Sequence, residues 1–233
     1  MEVLHSPDFW IGLLKIVWIN IILSGDNAVV IALAARSLPP HQQKQAVLWG
    51  SGAAVVLRIA LTVVAAKLLE LPYLQIVGGC LLLWIGVQLL GEEEEEDGES
   101  KEYGNLMAAV RTILIADLVM SLDNVIAVAA AAQGDTTLLI LGLAISIPLV
   151  IFGSTLMIKL MERFPIIVLL GAALIGWVGG ETIVNDVSMR GVLAANPWLH
   201  YVAAAIGAAF VVAVGKSLQA RAARRHAARH ATH

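Results

Sequence analysis

Charge and cysteine are both scarce in this sequence. Charged residues make up 14% of its 233 residues, whereas a soluble domain usually carries about 25%. The only cysteine is Cys80, which excludes an internal disulfide framework and a metal site built from several thiolates. The sequence also lacks an HExxH zinc motif, a phosphate-binding loop and a Ser-His or Cys-His arrangement. We therefore predict that the protein is not an enzyme and holds no cofactor.

Hydrophobic residues are abundant, at 59% of the chain with a mean hydropathy of +0.82. They fall in runs of about twenty, the length that an α-helix needs to cross a bilayer core of about 30 Å. Only helices and closed barrels satisfy their backbone polar groups in lipid, and a barrel would require alternating polar residues. We predict an all-α polytopic protein in the lipid bilayer, with no nucleic-acid partner. The first residues lack the basic stretch of a cleaved signal peptide, so the first apolar run is expected to remain as a helix.

Seven membrane-spanning helices are predicted from the apolar runs and the proline and glycine breaks between them. They cover residues 9–35, 46–69, 73–90, 106–132, 137–161, 166–183 and 198–217. Because the number is odd, the termini lie on opposite sides of the membrane. Eleven Lys and Arg residues then share the side of the C-terminus, and only Lys67 and Arg190 lie on the other. The positive-inside rule therefore predicts a periplasmic N-terminus and a cytoplasmic C-terminus in a bacterial cytoplasmic (inner) membrane.

Two internal matches indicate a duplicated unit. Residues 19–35, INIILSGDNAVVIALAA, align without a gap on residues 116–132, ADLVMSLDNVIAVAAAA. A second match lies at the start of and within spans three and six: Pro72, Gly78 and Trp84 recur with the same spacing as Pro165, Gly171 and Trp177. Spans one to three thus correspond to spans four to six, and an odd number of spans per unit makes the copies inverted. Inverted repeats are common in secondary transporters, whose sites lie near the midplane, although channels also arise by duplication.

This repeat divides the chain into five segments. They are a first three-helix repeat at 1–91, an acidic cytoplasmic linker at 92–104, a second, inverted repeat at 105–185, a periplasmic loop with the seventh helix at 186–217, and a basic cytoplasmic tail at 218–233. The glutamates of the linker are interpreted as a solvated tether. Asn185 and Asp186 are expected to lie in an exposed loop.

Each repeat places an Asp-Asn pair inside its first span, Asp26-Asn27 and Asp123-Asn124. A carboxylate at the centre of a bilayer costs about 2.5–3.5 kcal/mol on insertion scales, so such residues are candidate functional groups. On a helix the pairs adjoin further polar residues and form a broad polar surface in each copy. Carboxylate and amide oxygens suit Mn²⁺, Mg²⁺ and Ca²⁺, whereas zinc favours His or Cys. The predicted metal ligands are Asp26, Asp123, Asp117, Asn27, Asn124 and Asn20.

Four further polar residues are weaker candidates: Ser24, Ser121, Glu181 and Arg58. The two serines also fit simple hydrogen bonding between membrane helices. Glu181 either completes the site from span six or lies near the outer surface. Arg58 is either the counter-charge of an empty acidic site or a structural partner of one carboxylate, because a charge buried in the membrane requires a partner.

The segments SGDNAVVIALAA and ADLVMSLDNVIAVAAAA closely resemble the two signature segments of the TerC family of integral membrane proteins, within the wider group of LysE-type exporters. The resemblance covers spans one to six, and the short chain is similar to the compact bacterial branch of the family. It implies metal-ion efflux across the cytoplasmic membrane, with manganese as the substrate. Many members carry an acidic residue six positions before each motif aspartate. Asp117 matches that pattern, whereas Asn20 departs from it and removes one negative charge.

Two functions of different classes remain open. The first is a secondary transporter that exports Mn²⁺ from cytoplasm to periplasm, with carboxylates that bind protons when the metal leaves. The second is a membrane-protein assembly or stress-resistance factor, of the tellurium-resistance type, whose polar surface binds a partner helix. A response to Mn²⁺ would separate them, because a helix-binding groove need not respond to the ion. The oligomeric state is open, with a homodimer among the assemblies considered.

Overall fold

The structure, a computed structural model, describes the chain except for residues 1–6, 24, 92–101, 133–134 and 231–233. The described residues are helical and contain no β-strand, which confirms the all-α prediction. The α-helices are, in chain order, α1 (Pro7–Leu23), α2 (Gly25–Ala35), α3 (Pro40–Leu68), α4 (Leu74–Gly91), α5 (Glu102–Ala132), α6 (Thr136–Arg163), α7 (Ile166–Val184), α8 (Arg190–Ala195) and α9 (Leu199–His230). A short 3-10 helix, Val187–Met189, lies between α7 and α8.

Among the described residues, six helices contain a stretch that is long and apolar enough to cross a membrane: α3, α4, α5, α6, α7 and α9. The predicted first span, residues 9–35, is described as the helical segments α1 and α2, and Ser24 between them lies outside the described residues. The apolar stretches described in these segments are Trp10–Ile19 and Gly25–Ala35. The matching segment of the second copy lies in one helix, α5. The seventh span and the inverted arrangement of the repeats stay predictions.

The helices belong to two compact units. The first unit comprises Met1–Leu71 and Gly104–Leu160, and it contains α1, α2, α3, α5 and most of α6. The second unit comprises Pro72–Tyr103 and Met161–His233, and it contains α4, α7, α8 and α9. Each unit thus draws helices from both predicted repeats. The segments of the first two spans of each repeat belong to the first unit, and the third spans belong to the second.

Aliphatic side chains from α1, α3, α5 and α6 form the core of the first unit. Its buried cluster comprises Leu13, Ile16, Val55, Val128, Ala132, Leu138, Leu139 and Leu143. Helix α1 lies close to α6 at Gly12. A Cβ added to this glycine would be only 2.8 Å from Leu138 Cδ2. A smaller cluster of Leu61 and Val125 packs α3 against α5. This contact brings together the two helices that carry the buried charges described below.

Small residues set the separation of α4, α7 and α9 in the second unit. A Cβ on Gly79 of α4 would lie 2.5 Å from the carbonyl oxygen of Gly179 of α7. A Cβ on Gly176 of α7 would lie 2.5 Å from the carbonyl oxygen of Gly207 of α9. Lipid removes most of the hydrophobic drive for helices to associate, so close packing through small residues takes its place.

Asp186 is fully buried, with 0% of its surface exposed, so the prediction that it lies in an exposed loop is wrong. Its Oδ1 accepts hydrogen bonds from the backbone N–H of Tyr73 at 3.0 Å and from the N–H and hydroxyl of Ser188 at 2.9 and 2.6 Å. Its Oδ2 accepts one from the N–H of Gln75 at 3.1 Å. Asp186 therefore caps the N-terminus of α4, whose first N–H groups have no partner within their own helix. It also holds Tyr73 at a φ of 70°, in the left-handed region that non-glycine residues rarely adopt.

We expect the stability of the protein to depend on the ionisation of Asp186. Burial raises its pKa, but hydrogen bonds from Ser188, Tyr73 and Gln75 outweigh burial and lower the pKa from 3.8 to about 2. A carboxylate with a lower pKa in the folded state stabilises the fold above about pH 4, and this contribution is lost as the pH falls toward about 2. Thermal unfolding in detergent should therefore show a falling midpoint over that interval. Asp186→Asn should lose most of this pH-dependent part, and an unchanged pH profile would contradict the assignment.

Candidate functional site

A buried ion pair joins α3 to α5 in the first unit. Arg58 Nη2 donates to Asp117 Oδ1 at 2.6 Å, and Arg58 Nε donates to Ser121 Oγ at 3.0 Å. The Ser121 hydroxyl in turn donates to Asp117 Oδ2 at 3.2 Å, so both carboxylate oxygens are engaged. All three residues are buried. Asp117 and Ser121 share a face of α5 because they are four positions apart, one helical turn.

The second cluster of predicted ligands lies at the start of α2. Asp26 is in the first turn of this helix, and its Oδ1 accepts a hydrogen bond from the backbone N–H of Asn27 at 2.8 Å. Its carboxylate interacts electrostatically with both Arg58 and Asp117. The structure therefore brings Asp26 into the electrostatic field of the ion pair between α3 and α5. Two carboxylates and one guanidinium share this part of the first unit.

Asn27, the residue after Asp26, is buried, with 3% of its surface exposed. Within the part of the chain that the structure describes, neither its Oδ1 nor its Nδ2 has a hydrogen-bond partner. A buried amide without partners costs about 1–3 kcal/mol, and such groups are rare in native proteins. Asn27 therefore places a buried carbonyl oxygen and a buried amino group, both without a hydrogen-bond partner among the described residues, directly after Asp26 in the chain.

The other predicted ligands differ in what the structure describes of them. The side chains of Asn20 and Asp123, and all of Ser24, lie outside the described residues. Asn124 is partly buried and has an interaction partner. Glu181 belongs to the second unit, where its Oε1 accepts a hydrogen bond from Trp177 Nε1 at 2.8 Å and lies 3.0 Å from His200 Nε2.

A family model described as "Integral membrane protein TerC family" matches residues 5–224. The chain belongs to the TerC family. It is therefore an integral, multi-pass membrane protein, and the resemblance noted in its two S-x-D-N segments is confirmed.

Several bacterial membrane proteins are similar in sequence to this TerC-family chain. The chain is 44% identical over 205 residues to the uncharacterized membrane protein YjbE of Bacillus subtilis, a match that covers 88% of this chain and 94% of YjbE. It is 30% identical over 151 residues to the membrane protein YceF of B. subtilis, covering 61% of this chain and 59% of YceF. The Escherichia coli inner membrane protein YoaE is 28% identical over 198 residues, which are 77% of this chain but only 38% of YoaE. No solved structure matches the chain.

The buried polar groups described in this part of the first unit of the TerC-family chain carry oxygen atoms that a cation could contact. Among the described side chains, no group of three or more His, Cys, Asp and Glu residues is placed to hold a metal ion. The first unit offers the carboxylates of Asp26 and Asp117 and the amide of Asn27. The side chain of Asp123 lies outside the described residues. Carboxylate and amide oxygens are the donors that hard cations prefer.

Sequence reasoning missed several buried polar residues of this TerC-family protein, among them Ser51 of α3. It is 1% exposed, and its hydroxyl has no hydrogen-bond partner among the described residues. Other hydroxyls in these helices donate to the carbonyl oxygen four residues earlier: Thr62 to Arg58, Ser146 to Gly142 and Ser154 to Val150. Ser51 precedes Arg58 by seven positions, two helical turns, so the two share a face of α3. That spacing is the signal in the sequence that could have identified it.

Proposed function

We propose that this TerC-family protein is a secondary transporter that exports divalent metal ions, Mn²⁺ foremost, from the cytoplasm to the periplasm. The observation that carries the proposal is the buried amide of Asn27, unpartnered among the described residues, beside the Asp26 carboxylate. A polar group in this state needs a partner, and a cation supplies one to its carbonyl oxygen. The Asp117 carboxylate lies within electrostatic range of Asp26 and adds to the negative charge.

The ligand set that we propose extends this described core by residues of the same motifs. Asp26 and Asp123 are the principal ligands, Asp117 is a third carboxylate, and Asn20, Asn27 and Asn124 supply neutral oxygens. Removing water from a divalent ion is costly, and several carboxylates offset that cost. The same carboxylates would take up protons when the metal leaves, which couples export to proton entry. A flux that is insensitive to pH and to a proton gradient would contradict this coupling.

The arrangement in the membrane completes the proposal. Helices α1 and α2 together form the first of seven crossings, and the two repeats are inverted, with the N-terminus in the periplasm. We place the protein in the cytoplasmic membrane of a bacterium, in line with the description of its relative YoaE as an inner membrane protein. Inverted repeats support alternating access around a site near the midplane.

Mn²⁺ flux into proteoliposomes tests the function. The wild type should show saturable flux, and Asp26→Asn and Asp123→Asn should each lower it at least about 100-fold, equal to about 2.7 kcal/mol. Each substitution keeps the size of the side chain and removes the charge that binds the ion. Glu162→Gln, at an exposed position near the end of α6, is the matched control and should transport like the wild type. Mg²⁺, Ca²⁺ and Zn²⁺ as competitors establish the order of preference.

The second candidate function predicts a different result. A factor that binds a partner helix would show no cation flux while folded, and Mn²⁺ would not raise its thermal stability. Protein that retains its helical circular dichroism but neither moves nor binds any of the four cations would therefore overturn the transport proposal.

A further inference from the structure

We infer that Arg58 is a tethered competitor of the substrate: it occupies Asp117 in the unloaded carrier and makes the site selective for divalent over monovalent cations. The inference rests on the proposed function. It starts from the contacts of the guanidinium, which donates to Asp117 and to Ser121 at 2.6 and 3.0 Å. These contacts place a fixed positive charge on one of the carboxylates that the metal ion would use.

Arginine keeps its proton inside proteins, so this charge is permanent. A cation that binds between Asp26 and Asp117 must displace Arg58 from Asp117 or remain beside a like charge. Displacing Arg58 and binding beside it are both unfavourable. The Coulomb attraction between the incoming ion and the carboxylates offsets this cost, and it grows with the charge of the ion. A divalent ion gains twice as much from each carboxylate as a monovalent one. Na⁺ and K⁺ therefore do not bind at this site in the presence of Arg58.

The contact between Arg58 and Asp117 also stabilises the site when no metal ion is bound. Carboxylates left without a cation in the membrane would repel one another and would be costly to bury. The guanidinium offsets one of these charges whenever the metal is absent. An arginine that serves only to join α3 to α5 would predict none of the cation effects described next.

The test is Mn²⁺ binding by the full-length protein in detergent, measured from the loss of the electron paramagnetic resonance signal of the free ion. Arg58→Gln should lower the Kd for Mn²⁺ by roughly tenfold or more, because the ion no longer competes with a buried charge. Na⁺ and K⁺ should compete with Mn²⁺ in this variant and not in the wild type. Arg111→Gln, at an exposed position of α5, is the control and should bind Mn²⁺ like the wild type.

Arg58→Lys keeps the charge but loses the planar fork, so it should shift the Kd in the same direction by a smaller factor. It also serves if Arg58→Gln does not fold. An unchanged or weaker affinity for Mn²⁺, without competition by Na⁺ or K⁺, would show that Arg58 is only a structural anchor. In that case Mn²⁺ flux in the wild type would leave the transport function intact. A folded wild type that neither binds nor moves Mn²⁺ would overturn both.

Discussion

Replacing Asp117 by leucine is expected to lower the free energy of unfolding by about 3–5 kcal/mol. Asp117 accepts hydrogen bonds from Arg58 at 2.6 Å and from Ser121 at 3.2 Å, and the side chains of Arg58 and Asp117 are only 6% and 5% exposed. Because arginine does not release its proton, the variant leaves a buried guanidinium without the carboxylate that it binds. Unfolding by SDS in mixed micelles, followed by helical circular dichroism, measures the loss.

A double variant, Arg58→Met with Asp117→Leu, separates the loss of the ion pair from the change of shape. Replacing both members of a buried pair by apolar residues of similar size is often neutral or stabilising, so the double variant should regain most of the lost stability. Arg111→Met, at an exposed position of the same helix as Asp117, should change stability by less than about 0.5 kcal/mol. If the double variant were as unstable as Asp117→Leu, Asp117 would stabilise the fold through something other than Arg58.

The sequence predicts the helical membrane fold well, because its main signal is physical and local. Runs of about twenty apolar residues have one stable form in lipid, and six described helices follow them closely. The polar residues inside those runs are equally visible, since each carries a cost in the membrane. Asp117 and Ser121 were identified in this way, and the structure places them one turn apart in a buried hydrogen-bond network.

The partners of these residues could not be predicted from the sequence. Arg58 lies 59 positions before Asp117, and nothing in the spacing indicates which carboxylate a mid-span arginine binds. The sequence therefore left Arg58 open between a counter-charge and a structural partner. Asp186 was misjudged for the same reason, because the N–H group of Gln75 that it caps lies 111 positions earlier. Pairing across elements depends on tertiary packing, which composition and periodicity do not report.

Replacing Gly180 by valine is expected to destabilise the second unit by about 3 kcal/mol or more, the upper part of the range for overpacking. A Cβ on Gly180 would overlap the carbonyl oxygen of Ala203, and it would lie 2.7 Å from the Ala203 carbonyl carbon and 2.9 Å from Ala204 Cα. These are backbone atoms, which cannot rotate away as a flexible side chain can. Helices α7 and α9 would have to separate and would lose the close packing that holds membrane helices together. The same unfolding measurement in mixed micelles reports the effect.

The same substitution at two glycines gives the sharpest form of this test. Gly180→Ala adds one methyl group against the backbone of α9 and should cost about 1–3 kcal/mol. Gly52→Ala adds the methyl group within α3 where no atom beyond the adjoining backbone of α3 itself lies within 4 Å, so it should stabilise the protein by about 0.5–1 kcal/mol through helix propensity alone. Both glycines lie inside helices, so the gain in helix propensity is similar. The stability changes have opposite signs because only the methyl group at position 180 meets the backbone of another helix. If Gly180→Ala also stabilised the protein, helices α7 and α9 could not be in contact at this glycine, and the packing of the second unit would have to be different.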